Sequence, residues 1–539
     1  MGAFTSQRLA VGIMQTASRQ NKRHSRSALS AATRRSWSIS SSDDTGNNNN
    51  SNKNDNKNVK PQVQFTTSTV ETVAVIGGGI AGLTCGKFLS TQSGGRFQTT
   101  VFDTGRLRPG GRCSSRQPQD QHKDDDTSRP SSFPLLQSTI VDHAAQILTV
   151  PASNNNNQFA EFQSQVQEWE AQGIITKYPP GTVCNIVDKS NNGNNKKGNN
   201  NENKNQNSNN QNPGGFALRP LNTPQKANMY YGTNGMGAIP QAIQRESFAS
   251  LQQDVWVAPS NGVRYQKESN KWKLQAKGQT LGVFDHLVIA HNGKCADRIM
   301  SQTPAKDVHN LLRVNFAPRV PNDGGKRMTL NSIYSLSFAV PKHSKVLDSV
   351  LPDDKFVCGF VQNEPTLRFL TCQSRKYPNN KDDGSNNKDV QVWTVLSSAP
   401  FAKKFKAPQE FLPADVIQNV TSLLLQGVER SLSLPSRALE DAVLESRLQL
   451  WGAAVPVNVW DSSSSPQASQ GFLHDSKHHV GVCGDWLLEP SIAGAWESGR
   501  RLAEYMISTK EEKKPIVVGV DGAFRANQQA MKAGIGSLT

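Results

Sequence analysis

The stretch Val73-Ala74-Val75-Ile76-Gly77-Gly78-Gly79-Ile80-Ala81-Gly82 decides the fold of this chain. Its short apolar run ends in glycines, which is typical of a buried strand in a parallel sheet. Leu83 and Phe88 continue Ile80 at helical spacing, so a helix is predicted directly after the glycines. A second apolar strand, residues 99–102, follows that helix and ends at Asp103. This order of elements predicts a strand–helix–strand unit of the Rossmann type.

The glycines of this stretch follow the pattern Gly77-x-Gly79-x-x-Gly82, which is typical of dinucleotide binding when a strand precedes it and a helix follows. The first glycine permits a tight turn, the second lets the backbone approach a diphosphate, and the third allows close packing of strand and helix. The diphosphate is expected beside Ile80 and Ala81, because unpaired N–H groups and the helix dipole favour negative charge there.

A second glycine loop, Arg108-Pro109-Gly110-Gly111-Arg112, comes soon after the acid that ends the second strand. That acid, Asp103, is predicted to bind a ribose hydroxyl. Gly111 and Arg112 are predicted to wrap the diphosphate, with the guanidinium contacting a phosphate through two hydrogen bonds.

Near the C-terminus, a short apolar strand ends at Gly484-Asp485-Trp486, and a helix containing Gly494-Ala495 follows. Together with the arginine-glycine loop, this pair resembles the motifs of the amine-oxidase-like flavoproteins. The resemblance implies that Asp485 and Gly484 hold the ribityl or diphosphate region of FAD. It also implies that the start of the helix, at Gly494 and Ala495, points at the flavin edge where negative charge gathers on reduction. A nicotinamide dehydrogenase has no use for this second motif, so FAD is the expected cofactor.

The stretch Asp142-His143-Ala144-Ala145-Gln146-Ile147-Leu148-Thr149 resembles a segment of the renalases and their bacterial relatives. The turn Tyr231-Gly232-x-x-Gly235-Met236 is similar to that group as well. The resemblance covers most of residues 70–507 and implies that Ala145 and Gln146 contact the cofactor. It also implies that the backbone of Val263 meets the adenine.

This resemblance implies a FAD-dependent oxidase that oxidises isomeric dihydronicotinamide dinucleotides by hydride transfer to flavin N5, with molecular oxygen as the electron acceptor. The chain departs from the renalase pattern at Ala144, at Ile147 and in residues 290–294, which lie toward the substrate side in that family. Two alternatives therefore stay open: an amine oxidase or desaturase on the same scaffold, and a FAD-retaining binding protein without catalysis. No residue pattern identifies a catalytic group, and His143, His291 and Lys294 fit structural or solvated roles.

Composition and charge limit the other functions. The net charge of +16 is concentrated in part in residues 1–42, which contain no Asp or Glu, and no basic stripe follows; nucleic acid is therefore not an expected partner. The seven cysteines are scattered without a CxxC pair, so neither a disulfide framework nor a metal site is predicted. No apolar run is long enough to predict a membrane span.

Residues 1–42 are rich in Arg and Ser, which is typical of an organellar transit peptide. The stretch Arg35-Ser36-Trp37-Ser38 resembles a mitochondrial processing site, so a mitochondrial location is favoured over a plastid; the alternative is a disordered basic tail. Three asparagine-rich tracts, residues 47–58, 191–212 and 379–387, are predicted to be a linker and two surface insertions.

The expected fold class is α/β: a FAD-binding Rossmann-like domain, whose parallel sheet carries a β-meander, plus an inserted β-sheet-based substrate domain. The strands of the meander are predicted at residues 255–257, 263–265 and 272–275. The substrate is expected to be a small molecule, and the sequence predicts no oligomeric state. The expected division of the chain is 1–65 transit peptide and linker; 66–150, 246–300 and 470–510 FAD-binding domain; 151–245 (with an insertion at 188–213) and 301–469 substrate domain; and 511–539 unassigned tail.

Overall fold

The computed structural model describes residues 70–118, 120, 133–150, 158–188, 215–221, 228–342, 345–378, 389–409, 411–462, 469–509 and 515–527. The predicted transit peptide and the three asparagine-rich tracts lie outside these residues. Residues from Thr67 onward form one compact unit.

The strands of the described residues are mostly short. In chain order they are β1 Glu71–Ile76, β2 Phe97–Phe102, β3 Ser115–Arg116, β4 Val141–Asp142, β5 Leu148–Thr149, β6 Ile175–Lys177, β7 Val183–Asp188, β8 Phe216–Pro220, β9 Met229–Gly232, β10 Ser250–Gln252, β11 Val263–Gln266, β12 Lys271–Ala276, β13 Gln279–Phe284, β14 His286–Ile289, β15 Val314–Phe316, β16 Met328–Leu330, β17 Ile333–Pro341, β18 Cys358–Val361, β19 Leu367–Cys372, β20 Val390–Ser397, β21 Glu445–Trp451, β22 Asn458–Asp461, β23 Leu473–Asp475, β24 Val480–Val482, β25 Val517–Val518 and β26 Ala523–Ala526.

The helices lie between these strands and vary widely in length. They are α1 Ile80–Gln92, α2 Ala160–Ala171, α3 Ala238–Arg245, α4 Lys294–Ser301, α5 Lys306–Leu312, α6 Gln373–Lys376, α7 Ala399–Lys404, α8 Ala414–Ser431 and α9 Ile492–Ser508. None of the helices in the described ranges has both the length and the apolar character that crossing a bilayer requires.

The first large sheet has seven strands in the order β10-β2-β1-β14-β24-β23-β25. Strands β10, β2, β1, β14 and β24 are parallel, whereas β23 and β25 are antiparallel to their neighbours. Helices α1 and α9 pack together against it, with Leu83 and Leu502 in the same buried cluster. The predicted strand–helix–strand unit is confirmed, because β1, α1 and β2 occupy the expected stretches of chain. The fold is mixed α/β with a Rossmann-like domain, as expected.

The meander prediction is confirmed in part. Strands β11, β12 and β13 form an antiparallel three-stranded sheet beside the parallel one. Residues 255–257 were expected to be its first strand, and this is wrong. The Val255 amide donates to the Asp103 carbonyl at 2.9 Å and the Asp254 amide to Gly105 at 3.1 Å. Because these amides are bonded to the loop after β2, the segment crosses the end of the parallel sheet instead of joining the meander.

The second large sheet has the order β21-β17-β20-β19-β18-β7-β8 and is antiparallel apart from the pair β18 and β7. Its longest strand, β17, is buried from Ile333 to Val340. Helix α8 covers one face, with Leu424 and Val428 in the sheet's apolar cluster. This arrangement agrees with the expectation of a second, β-sheet-based part of the chain.

The C-terminal tail, for which no element was predicted, contributes two strands. Strand β25 pairs with β23 at the edge of the first sheet, and β26 pairs with β22. The Trp460 indole donates to the Gly519 carbonyl at 2.8 Å and packs on Phe524. The described part of the tail is therefore integrated into the fold.

Strand β23 carries a histidine whose burial predicts a loss of stability in acid. His474 is 5% exposed, and burial, assisted by the charge of His286, lowers its pKa from 6.5 to about 4. Unfolding therefore takes up a proton between these values, so stability present above pH 6.5 is lost as the pH falls toward 4. The expected contribution is about 3 kcal/mol. Urea denaturation measures the free energy of unfolding across this pH range. That free energy should change less with pH in His474→Gln than in wild type, and an identical pH dependence in both proteins would contradict the role of His474.

Candidate functional site

A cavity of about 790 Å³ lies at the carboxyl ends of the parallel strands β1, β2 and β14. In open parallel sheets this edge is where ligands bind. Its wall is assembled from both glycine loops, from the residues after β24 and from the beginning of α9. Eleven of the fifteen residues predicted to bind the cofactor line it: Gly77, Gly79, Ile80, Ala81, Asp103, Gly111, Arg112, Ala145, Gly484, Asp485 and Ala495.

The three glycines of the first loop have different surroundings. Gly77 has a φ of +118°, and a Cβ there would lie 2.9 Å from the Ala290 carbonyl oxygen. A Cβ on Gly82 would lie 2.0 Å from the Gly77 oxygen, so Gly82 packs against the turn and does not line the cavity. A Cβ on Gly79 would meet nothing within 4 Å. Gly79 thus leaves open space over the start of α1, which a diphosphate could fill.

Asp103 lies at the cavity wall directly after β2. It is largely buried, and burial raises the pKa of its carboxyl, against the lowering effect of hydrogen bonds from the backbone of Gly78, Gly105 and Thr104. The Gly78 amide donates to Oδ1 at 3.3 Å. The carboxyl is therefore fixed beside the glycine turn, where a ribose hydroxyl of a bound dinucleotide would come within its reach.

Arg112 connects the two predicted halves of the site. Its guanidinium donates to Asp485 Oδ2 at 2.8 Å and to the Ala454 carbonyl at 2.7 Å. The sequence predicted that the Arg112 guanidinium would contact a phosphate. In the structure its hydrogen bonds go to protein acceptors instead. The ion pair joins residues 373 positions apart and closes the wall between the arginine-glycine loop and the C-terminal motif.

The start of α9 lies slightly earlier than predicted. Ser491 caps the helix, with its hydroxyl accepting from the Gly494 amide at 3.0 Å, and the Ala495 amide donates to the Ser491 carbonyl at 3.0 Å. The Gly494 and Ala495 amides are therefore already bonded, and within the described residues the helical N–H groups left without a partner are those of Ile492 and Ala493. Gly494 does not line the cavity; a Cβ there would lie 2.0 Å from the Glu489 oxygen.

Ala145 and Gln146 have separate surroundings. Ala145 lines the cavity, and its amide donates to the Arg112 carbonyl at 3.0 Å. Gln146 is fully buried behind it, where its carbonyl accepts from Lys376 Nζ at 2.7 Å and from the Tyr178 hydroxyl at 2.8 Å. The structure places Gln146 in the packing behind the cavity, not on its wall.

Val263 is also absent from the cavity wall. It begins β11 and pairs with Leu274 inside the meander. The neighbouring wall is formed by Val255, Trp256 and Val257, the segment that crosses the end of the parallel sheet. This apolar part of the wall is therefore supplied by residues 255–257 and not by Val263, where the adenine contact was expected.

Further residues of the wall lie outside the predicted cofactor motifs. They are Phe316, Lys406 and Gln409, together with residues 291–295 and 450–455. His291 lines the wall, burial lowers its pKa, and Nδ1 lies 3.1 Å from the Ile76 carbonyl. His143 lies outside the cavity, and burial lowers its pKa to about 4. Of the two histidines, only His291 is therefore in a position to meet a bound molecule.

Two tryptophans in the wall have unused hydrogen-bond donors. The indole N–H groups of Trp451 and Trp486 are buried and have no partner among the described residues. A buried donor without a partner costs about 1–3 kcal/mol. No cluster of metal-binding side chains occurs in the described part of the chain.

Residues 75–162 match the family model of the NAD(P)-binding Rossmann-like domain. The matched segment contains the glycine turn, Asp103 and the arginine-glycine loop, so this part of the chain is similar to Rossmann-like NAD(P)-binding domains. Similar solved structures include a protein assigned as a protoporphyrinogen oxidase from Exiguobacterium sp. 255-15, with 7% identity and a TM-score of 0.48 over 82% of this chain and 99% of that one.

Two further solved structures are similar to this chain. The tetracycline destructase Tet(51) has 11% identity and a TM-score of 0.39, over 82% of this chain and 83% of its own. The 2,6-dihydroxypyridine-3-hydroxylase of Arthrobacter nicotinovorans has 13% identity and a TM-score of 0.41, over 83% and 86% of the two chains.

Proposed function

We propose that this protein is a FAD-dependent oxidoreductase of the renalase type, which oxidises a small reduced molecule such as an isomeric dihydronicotinamide dinucleotide. One observation carries the proposal: the Arg112–Asp485 ion pair joins both predicted halves of a flavoprotein site around a single cavity. A site for a simple nicotinamide cofactor needs the first half alone. The second half, after β24 and at the start of α9, is what favours FAD.

The residues of the wall have distinct roles in this proposal. The open face of Gly79 and the start of α1 would hold the diphosphate, and Asp103 would accept a hydrogen bond from the adenosine ribose. The first free N–H groups of α9, including that of Ile492 at the wall, provide partial positive charge at the flavin edge. When bound, FAD supplies the hydride acceptor, and oxygen is the proposed terminal oxidant.

The wall near the proposed flavin position is mostly apolar. Ile333, Leu396, Leu450 and Ala454 line this part of the cavity, and all four are buried. Such a wall excludes water from the transferring hydrogen and strengthens the electrostatic interactions inside the site. The described wall has no neutral-pH general base besides His291, which fits a reaction in which the cofactor does most of the chemistry.

Anaerobic rapid mixing tests this proposal. The purified full-length chain should take up FAD in one-to-one ratio and become yellow. Isomeric dihydronicotinamide dinucleotides should then bleach the flavin absorbance, and admitting oxygen should restore it with release of hydrogen peroxide.

Three outcomes would contradict the proposal in different ways. Bleaching by amines instead of dihydronicotinamides would replace the substrate class and favour an amine oxidase. Retained FAD that no donor reduces would indicate a binding protein without catalysis. A folded chain that takes up no FAD would overturn the flavoprotein assignment altogether.

A further inference from the structure

Two lysines flank one aromatic ring in the part of the cavity wall that lies outside the glycine loops and the C-terminal motif. Lys294 Nζ lies 5.6 Å from the centre of the Phe316 ring, and Lys406 Nζ lies 5.7 Å from it. Both lysines line the cavity, although they come from separate elements. Lys294 begins α4, Phe316 ends β15, and Lys406 follows α7. The tertiary fold therefore brings two positive charges to one place.

The charges of the cavity wall are unevenly distributed. Its described charged residues are Asp103, Arg112, Asp485, Lys294 and Lys406. Arg112 and Asp485 neutralise each other, and Asp103 is held by backbone amides at the glycine end. Within the described residues, neither lysine makes an ion pair. The lysine end of the cavity thus has an excess of positive charge, which attracts anions.

The segments that carry the lysines are both fixed to the loop after β21. Gln409, three positions after Lys406, accepts a hydrogen bond from the Gly452 amide at 2.9 Å. Gly293, which precedes Lys294, packs so closely on Ala453 that an added Cβ would lie 3.2 Å from that side chain. These contacts set the positions from which both ammonium groups extend.

Trp451, the last residue of β21, also lines this part of the cavity, so a second aromatic side chain lies near the two lysines. The negative charge of an anionic group bound here would offset the two ammonium groups. Lys294, Lys406, Phe316 and Trp451 together are named the lysine-pair site.

We propose that the lysine-pair site binds an anionic group of the substrate, a carboxylate or a phosphate, next to an aromatic or other flat ring that packs on Phe316. This inference rests on the proposed function, because it assigns the glycine end of the cavity to FAD. It names the substrate class of that same cavity: a reduced compound that carries at least one negative charge.

Isothermal titration of the FAD-loaded chain with benzoate, benzamide and phenyl phosphate tests the inference. Benzoate and benzamide have nearly the same shape and differ in charge, and phenyl phosphate distinguishes a phosphate preference from a carboxylate preference. Wild type should bind at least one of the anions about tenfold or more tighter than benzamide. In the K294Q/K406Q double variant this preference should fall below about twofold.

The matched control is Lys404→Gln, which removes an exposed lysine from the same segment. Lys404 lies over the Phe405 ring and does not line the cavity. K404Q should keep the anion preference of wild type, and the unfolding temperature and FAD content of all variants should be unchanged.

Equal binding of benzoate, phenyl phosphate and benzamide by FAD-loaded wild type would overturn the inference and leave the proposed function standing. Loss of FAD from the K294Q/K406Q variant would assign the lysines to the cofactor diphosphate and would also overturn it. A wild-type chain that takes up no FAD would overturn the proposed function itself, and the inference with it.

Discussion

Replacing Lys376 with methionine is expected to lower the free energy of unfolding by about 3–5 kcal/mol. Lys376 and Asp142 are both fully buried, with Nζ 2.7 Å from Asp142 Oδ2. Removing the cation leaves the Asp142 carboxylate buried without its partner, and the cost of that uncompensated charge is the expected loss. Urea denaturation followed by far-UV circular dichroism measures it.

The groups around the Lys376–Asp142 pair explain why local rearrangement would not restore the stability of the K376M variant. The Asp142 carboxylate also accepts from the Tyr377 hydroxyl, the Ser115 hydroxyl and the Met236 amide. These donors are fixed in different elements and cannot replace the ammonium charge. Water would have to enter the core between β4 and α6, which breaks the packing behind Ala145.

An exposed lysine provides the control for this substitution. Lys271 pairs with Asp285 at 2.9 Å on the surface, with a side chain that is 43% exposed. Lys271→Met should therefore change the unfolding free energy by about 1 kcal/mol or less. Equal effects of the two substitutions would contradict the role assigned to the buried pair. Combining K376M with Asp142→Asn should recover part of the loss, since no buried charge then remains.

Replacing Gly79 with valine is expected to weaken FAD binding by about 100-fold or more while leaving the fold intact. Gly79 has a φ of −78°, which any residue adopts, and its missing Cβ faces open space. The valine side chain would fill the volume assigned to the diphosphate. Equilibrium dialysis against FAD, with circular dichroism as the check on folding, measures both effects.

Valine substitutions at two other glycines serve as controls, because they show what the same substitution does to folding and to FAD binding elsewhere in the chain. Gly82→Val should fail to fold, because its Cβ would lie 2.0 Å from the Gly77 oxygen. Gly215→Val should fold and bind FAD as wild type does. The contact nearest to its added Cβ is the Ser433 hydroxyl at 3.4 Å, and neither residue lines the cavity. A folded G79V variant that retains FAD with normal affinity would refute the diphosphate site at this turn.

The strand–helix–strand unit could be predicted because its signals are local. The apolar run of β1, the glycine turn and the helical spacing of α1 lie within about 20 residues, so periodicity identifies each element without tertiary information. The expected strand at residues 255–257 was wrong for the opposite reason. Its apolar residues have strand-like spacing, but hydrogen bonds to the loop after β2 decide its conformation.

The candidate site could be predicted only where a motif marks it. Both glycine loops and Asp485 line the cavity, whereas the lysine pair and the Lys376–Asp142 pair depend on contacts between residues far apart in sequence. The position of the α9 start was available from sequence, since Ser491 before an apolar run is a good N-cap residue. The domain boundaries, the mitochondrial location and the use of oxygen stay predictions.

The Arg112–Asp485 ion pair also imposes an order on biosynthesis. A ribosome adds roughly 5–20 residues per second, so about 20–75 seconds separate the synthesis of these two residues, which are 373 positions apart. Throughout that interval the nascent chain presents the glycine turn without the wall that completes its cavity. The site can therefore close around a nucleotide only after Asp485 has been synthesised and has left the exit tunnel.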